Sequence, residues 1–348
     1  MPFFSYFYIL LALIVLCKVR YNRSGFNDDY LSFDTTNAIK GIFISLVFIK
    51  HVIPYVTDAG YELGNGMLTN LFVYLNNFVG QWIVVMFLFY SGYGVMESIK
   101  KKGVGYVNSI PRKRVLNTLI NFDVAVLVFA VIALIFQEEY SVSHYILAFT
   151  GWTSIGNSNW YIFVILLCYF ISFLAFRREH NSLSRNSKLC LLLLTVATVV
   201  LYLVKPSWWY DTMLCFGVGV LFSLYKNKVE ALFRKYYWQI LIALIVLMLG
   251  IRATRMLCLP VFSILNNALF GMLIVLLTMK IKVNNRILIW LGSNLFPIYI
   301  YQRVPMIIFL SLFGQTFVAH HPVLYVSMCV VVTLVIAKYY KWWTIKLN

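Results

Sequence analysis

The sequence comprises 348 residues, of which 61% are hydrophobic and only 12% are charged. Soluble domains are typically about half apolar and about a quarter charged, so this composition excludes an ordinary soluble protein. The formal net charge is +17, but basic residues beside apolar segments are typical of membrane topology, and we expect no nucleic-acid partner. The six cysteines form no CxxC pair, and no HExxH motif or glycine-rich phosphate loop is present, so we expect no bound metal.

Apolar segments long enough to cross a bilayer follow one another along the chain. A membrane-spanning helix needs about 20 mostly apolar residues, with a range of roughly 17 to 25. By this criterion we predict an all-α bundle of about eleven transmembrane helices, with no soluble appendage. The predicted spans are 2–17, 39–56, 78–98, 115–137, 160–176, 189–204, 208–225, 237–251, 257–279, 287–312 and 322–337.

Lys and Arg residues are distributed unevenly between alternate loops. One set of loops holds 23 of the 29 and the other holds three, while Lys40, Lys50 and Arg303 lie within predicted spans. Cytoplasmic loops carry the excess of basic residues, so we predict an outside N-terminus and a cytoplasmic C-terminus in the inner (plasma) membrane. The first apolar segment lacks a basic n-region and a cleavage pattern, which indicates an uncleaved anchor.

Ionisable side chains in the second predicted span are the first candidates for function, because charges inside a membrane are costly and commonly functional. Lys40 and His51 are eleven residues apart, or three helical turns plus about 20°, so both face the same way, about 16 Å apart along the axis. A cation at one mouth with an imidazole deeper inside fits a channel for an anionic donor. Alternatively, Lys40 snorkels to the interface and His51 bonds a neighbouring helix, and both interpretations stay open.

A basic cluster runs into the fourth predicted span. It lies within residues 109–123 and brings Arg112 and Arg114 to the head of that span. Positive-inside anchoring explains most of such a cluster. Arg114 is different because it can turn inward, where a guanidinium group binds phosphates well.

Two further segments place polar groups at or inside spans. Asn159 and Trp160 begin the fifth span, where an interfacial aromatic belt is the simplest explanation. The segment 291–306 is an interrupted apolar helix that carries Gln302 and Arg303. Irregular backbone at membrane depth is tolerated only beside protein or a water-filled cavity, so we expect this segment to line a cavity.

These segments, in this order, resemble the acyltransferase-3 family of integral-membrane acyltransferases, which includes O-acetyltransferases of bacterial surface polysaccharides. The first matching motif is Lys40-Gly41 followed by His51. Later motifs of the family are similar to FLFYSGYGVME at 87–97, Arg114 with Asn117, WYI at 160–162, FGVG at 216–219 and LGSNLFPIYIYQ at 291–302. The sequence departs from the family at Lys40 and Asn117, where Arg is usual, and at Gln302, where His is common.

The resemblance implies one membrane domain over residues 1–348. Its parts are an extra N-terminal helix and loop at 1–35, a ten-helix core that the resemblance covers over 36–312, and a last helix and tail at 313–348. It further implies transfer of an acetyl group from cytoplasmic acetyl-CoA to a hydroxyl of a surface glycan or its lipid-linked precursor. No permanently bound cofactor is implied, and the oligomeric state is not readable.

The same resemblance assigns roles to individual residues. His51 is the general base or the acyl carrier, and Lys40 is the second candidate catalytic residue. The donor-binding candidates are Arg114, Arg112 and Asn117, although Asn117 replaces a proposed phosphate ligand. The candidates for the cavity wall or for stabilising an oxyanion are Asn159, Trp160, Tyr299, Gln302 and Arg303.

A polysaccharide flippase or polymerase without acyl transfer is the alternative interpretation, because such proteins are also basic and polytopic. A flippase is expected to line both halves of its spans with polar residues, and a polymerase commonly carries a large outer loop. The longest predicted outer loops, about 57–77 and 138–159, are modest. A structural scaffold would leave the alignment of Lys40 with His51 unexplained. Binding or slow hydrolysis of acetyl-CoA separates an acyltransferase from a flippase.

Overall fold

The computed structural model describes residues 4–64, 66–177, 182–254 and 256–347, and most of them are helical. The helices are α1 (Phe4–Leu16), α2 (Phe33–Asp58), α3 (Met67–Val79), α4 (Trp82–Ile110), α5 (Asn117–Ile135), α6 (Val142–Ala148), α7 (Trp160–Phe176), α8 (Leu183–Val204), α9 (Leu214–Leu224), α10 (Lys226–Lys235), α11 (Tyr237–Ala253), α12 (Pro260–Thr278), α13 (Arg286–Ser293), α14 (Leu295–Tyr301), α15 (Arg303–His320) and α16 (Pro322–Tyr339). A π-helix, Pro111–Leu116, joins α4 to α5, and the strands β1 (Val19–Tyr21) and β2 (Ile281–Val283) pair antiparallel.

The predicted all-α class is confirmed, but the predicted count of about eleven spans is not. Within the described residues, six helices are long and apolar enough to cross a membrane, or seven if the bent pair α10–α11 is one span. One of the six is the 67-residue run Thr69–Ile135, which contains most of α3 and the consecutive helices α4 and α5. Several predicted spans are not counted because the helix within them is too short to cross a membrane, as in α9, which has only 11 residues. The chain is a multi-pass membrane protein.

Most loops rich in Lys and Arg meet at one end of the bundle, which we call the basic end. Here β1 pairs with β2, and the Tyr30 hydroxyl donates to Glu230 of α10 over 2.6 Å. The Lys100 ammonium, near the C-terminal end of α4, donates to the carbonyl of Ser223 in α9 over 2.6 Å. These contacts tie segments that are far apart in sequence into one face.

At the opposite end, the few basic residues are held by aromatic rings. The Lys205 ammonium lies 3.7 Å from the centroid of the Trp152 ring and 4.3 Å from that of Trp209. The Arg252 guanidinium lies 4.3 Å from the ring centroid of Trp82. Cation–π contacts of this kind contribute about 0.5–2 kcal/mol each, so these two cations help to order the loops at this end.

Two glycines allow α2 and α13 to cross with their backbones in contact. A Cβ atom on Gly41 would overlap the carbonyl of Leu288, and one on Gly292 would overlap the carbonyl of Asn37. Small residues at helix interfaces permit such close approach in membranes, where packing is a main source of helix association. The crossing fixes the position of α2 relative to the interrupted helix that follows α13.

The same device joins α4 to α9. A Cβ atom on Gly92 would overlap the carbonyl of Phe216, and one on Gly219 would overlap the carbonyl of Phe89. The motifs SGYG in α4 and FGVG in α9 are therefore the two sides of one helix contact.

Replacing Gly92 by Ala tests this contact, with Gly94→Ala as the matched control in the same helix. Gly94 has no heavy atom within 4 Å of the position a Cβ would take. We expect Gly92→Ala to cost about 1–3 kcal/mol through overpacking, whereas Gly94→Ala is neutral or gains up to about 1 kcal/mol of helix propensity. Thermal unfolding of the two purified variants in one detergent measures the difference. Equal unfolding temperatures would contradict the close crossing.

Candidate active site

A cavity of about 370 Å³ lies between α2, α4, α5, α7 and the α13–α14 segment. Its polar wall includes the side chains of Lys40, Ser91 and Thr118, and its aromatic wall includes Tyr161 and Tyr169. Lys40 enters from α2, seven residues after that helix begins at Phe33. Lys40, predicted to stand at the mouth of a channel, therefore lies in the wall of a cavity.

A second cavity of about 270 Å³ adjoins the first, since Lys40, Phe87, Ser91 and Tyr169 line both. Arg114, from the π-helix, adds a second cation to its wall. The Arg114 guanidinium carbon lies 6.0 Å from the ring centroid of Tyr169, although the side chain as a whole is exposed. We call the two spaces together the Lys40 cavity. It brings two cations from distant parts of the sequence to one place, where anions are attracted.

His51 lies further along α2, beside the aromatic side chain of Tyr299. Their ring centroids are 6.2 Å apart, and the ring of Tyr299 is in turn 5.2 Å from that of Tyr161. Tyr161 belongs to the wall of the Lys40 cavity. Two tyrosines thus connect this cavity to the imidazole.

The surroundings of His51 contain polar atoms that bond to nothing in the described part of the chain. They are Nδ1 of His51, the hydroxyl of Tyr299 and Nε of Arg303, all of them buried. Arg303 and Lys50 are the cations that act electrostatically on His51. Buried polar groups normally have partners, so a cluster of open ones is the chemistry expected where another molecule binds.

The interrupted helix positions Tyr299 and Arg303. Asn294 separates α13 from α14 with a non-helical backbone, φ −104° and ψ 22°. Pro305 then removes the hydrogen bond that Tyr301 would otherwise accept in a continuous helix. Gln302, at the junction of α14 and α15, is fully buried and donates to the carbonyl of Tyr299 over 3.2 Å.

This segment was predicted to line a cavity. Ser293, Leu295 and Phe296 lie in the wall of the Lys40 cavity, whereas Gln302 does not.

Seven predicted site residues do not line the Lys40 cavity. Four of them, His51, Tyr299, Gln302 and Arg303, belong to the region of His51 and the interrupted helix described above, and the other three are Arg112, Asn159 and Trp160. Arg112 is exposed and does not contribute to its wall. The Asn159 amide donates to the carbonyl of Gly151 over 2.8 Å, which closes the loop before α7. Trp160 begins α7 and contacts the ring of Tyr161 edge-on, at 6.1 Å between centroids. Neither Asn159 nor Trp160 lines the two spaces.

Asn117 lines the Lys40 cavity, but its side-chain oxygen accepts a hydrogen bond from the backbone of Leu347 over 3.1 Å. Sequence reasoning did not select Tyr169, Thr118 or Asn121 as site residues. The spacing of Asn117 and Asn121, one helical turn, was the available signal, because residues four apart share a face of a helix.

The fold and the site define a polytopic helical membrane protein with an internal basic cavity. Residues 34–340 match the family model described as an acyltransferase domain, and the chain therefore belongs to the acyltransferase-3 family, as the sequence motifs predicted. Neither a curated protein nor a solved structure matches the chain. Membership of this family makes the protein a multi-pass membrane acyltransferase.

Proposed function

We propose that the protein transfers an acetyl group from acetyl-CoA to a hydroxyl of a cell-surface glycan or of its lipid-linked precursor. The observation that carries this proposal is the arrangement along α2, which presents Lys40 to a basic cavity and His51 beside a cluster of open polar groups. In this proposal the protein lies in the inner (plasma) membrane with the basic end in the cytoplasm, as the loop charges predict.

Lys40 and Arg114 would receive the phosphates of acetyl-CoA. The two side chains enter the cavity from different helices, so they can contact different phosphate groups. Arg114 presents a planar guanidinium fork, whereas Lys40 acts as a point charge on a flexible stem. The flexible arm of the donor would then extend past Tyr161 towards Tyr299.

His51 would activate the acceptor. As general base, its imidazole takes the hydroxyl proton while the hydroxyl oxygen bonds to the thioester carbon, and the proton then passes to the departing thiolate of CoA. As acyl carrier, the imidazole itself displaces the thiolate, and the acceptor oxygen later takes the acetyl group from it. Neither route requires a second cofactor.

The oxyanion formed in either route needs positioned donors. Arg303 and the hydroxyl of Tyr299 are the best placed, because both lie near His51 and retain unpaired polar atoms. The Asn159 amide is already bonded to Gly151. Gln302 acts through Tyr299, whose carbonyl it bonds.

Replacing His51 by Gln or Ala tests the central role. We expect transfer to fall by about 10²–10⁴-fold if His51 is a base, and to background if it is a carrier. His320→Ala is the control, because that exposed imidazole bonds only within its own helix, to the carbonyl of Thr316 at 2.7 Å. Proton NMR of surface polysaccharide from complemented deletion strains measures the O-acetyl content. Full acetylation by a His51 variant present at normal abundance would overturn the assignment.

Acetyl-CoA with a labelled acetyl group separates the two roles of His51. Incubated without acceptor, a carrier enzyme retains label on the protein, and the His51→Gln variant does not. If His51 is a general base, neither the wild-type protein nor the His51→Gln variant retains label.

Arg114→Ala tests the donor site, with Arg112→Ala as the matched control two residues earlier. Loss of one charged hydrogen bond, worth about 1.5–3 kcal/mol, should raise the KM for acetyl-CoA by about tenfold or more while kcat changes less. Steady-state kinetics of the purified variants measures both constants, and Arg112→Ala should leave them near wild type. An unchanged KM in Arg114→Ala would remove Arg114 from the donor site.

A further inference from the structure

The chain after α16 returns to the bundle and covers part of the Lys40 cavity. A turn at Tyr340–Trp342 is followed by residues 344–347, which form neither helix nor strand and run beside the start of α5. Tyr340 and Thr344 both lie in the cavity wall. We refer to residues 340–347 as the tail.

Residues 344–347 of the tail are held by Asn121. The side chain of Asn121 is buried, with 3% exposed. Its oxygen accepts from the hydroxyl of Thr344 over 3.0 Å and from the amide of Ile345 over 2.9 Å. Its nitrogen donates to the carbonyl of Ile345 over 2.8 Å and to that of Asn117 over 2.7 Å. An Asn side chain has two donors and two acceptor sites, so all four are used, and three of them bond to the tail.

The remaining contacts of residues 344–347 are few, whereas residues 340–343 are held separately, with a hydrogen bond between Trp343 and Tyr301. Leu347 donates to the oxygen of Asn117, and the Tyr340 ring lies 6.1 Å from Phe296 and 6.2 Å from Tyr301. Ile345 is 40% exposed, so little apolar surface anchors this segment. Its attachment therefore depends on hydrogen bonds to two asparagines in the cavity wall, and replacing Asn121 alone removes three of them.

We propose that residues 344–347 are a displaceable wall of the Lys40 cavity and that Asn121 is the positioning residue that keeps this wall in place. With the wall docked, the cavity admits only molecules that fit its present width. With the wall released, the mouth widens, and the amides of Asn117 and Asn121 face the opening. On the proposed function, the tail thereby limits which acyl-CoA donors enter.

Maleimide labelling of a cysteine placed in the cavity tests the wall directly. Thr118→Cys is introduced into a chain whose exposed Cys17 and Cys258 are replaced by Ser, and a small and a bulky maleimide are compared in detergent. Asn121→Leu, or a chain ending at Trp343, should raise the ratio of bulky to small labelling by about tenfold or more, because three hydrogen bonds are lost.

Two controls distinguish displacement of the tail from a general loss of packing in the protein. Asn267→Leu removes another buried Asn, which donates to the carbonyl of Asp211 over 3.0 Å, and it should leave the ratio unchanged. Asn121→Leu in the truncated chain should add nothing to the truncation alone, because both changes remove the same contact. Unchanged labelling on truncation, or fully additive effects, would overturn the proposal.

Adding acetyl-CoA to the Thr118→Cys protein with an intact tail tests the proposed function separately from this inference. Protection of Thr118→Cys by acetyl-CoA supports the donor assignment. If bulky labelling increases on tail removal but acetyl-CoA gives no protection, the tail is a displaceable wall and the cavity is not the donor site.

Discussion

The close crossing of α2 and α13 is the contact on which the site depends. Gly41 and Gly292 let the two backbones touch, whereas helices with larger interface residues usually pack 8–10 Å apart between axes. Because α14 follows α13 after a single non-helical residue, this contact also sets where Tyr299 meets His51. A shift of α2 by the width of one methyl group would move Lys40 and His51 together, since both belong to the same helix.

Three buried polar atoms near His51 have no hydrogen-bond partner within the described part of the chain. Burying a polar group without a hydrogen bond generally costs about 1–3 kcal/mol in proteins, so folded structures contain few of them. Here the imidazole of His51, the hydroxyl of Tyr299 and the guanidinium of Arg303 each retain an unbonded atom near the junction of α2 with α14–α15. A packed core would have replaced such groups with apolar ones. The unbonded atoms leave hydrogen-bonding capacity for a further molecule, which in the proposed function is the substrate.

The sequence predicted what depends on local periodicity. Lys40 and His51 share α2, and 291–306 is interrupted, because both follow from spacing and breaker residues. The number of spans could not be predicted, because hydropathy does not show where within an apolar segment a helix begins. The predicted span 208–225, for example, contains α9, which begins only at Leu214. The bond between Asn121 and Ile345 joins residues 224 apart in sequence, and no periodicity connects them. The bond between the Asn159 amide and the carbonyl of Gly151 was equally beyond reach, because it closes an irregular loop.

In the proposed function, the length of α2 between Lys40 and His51 restricts the kind of acyl donor. Lys40 and His51 are about 16 Å apart along the helix axis. A donor whose charge adjoins its acyl carbon, such as an acyl phosphate, cannot contact Lys40 and present its carbonyl to the imidazole at the same time, although it could contact Arg303 or Lys50, which act on His51. A donor with an anionic head and a long uncharged arm can do both. In the proposed function acyl-CoA has that shape, and the aromatic wall at Tyr161 and Tyr299 suits the arm that would pass it.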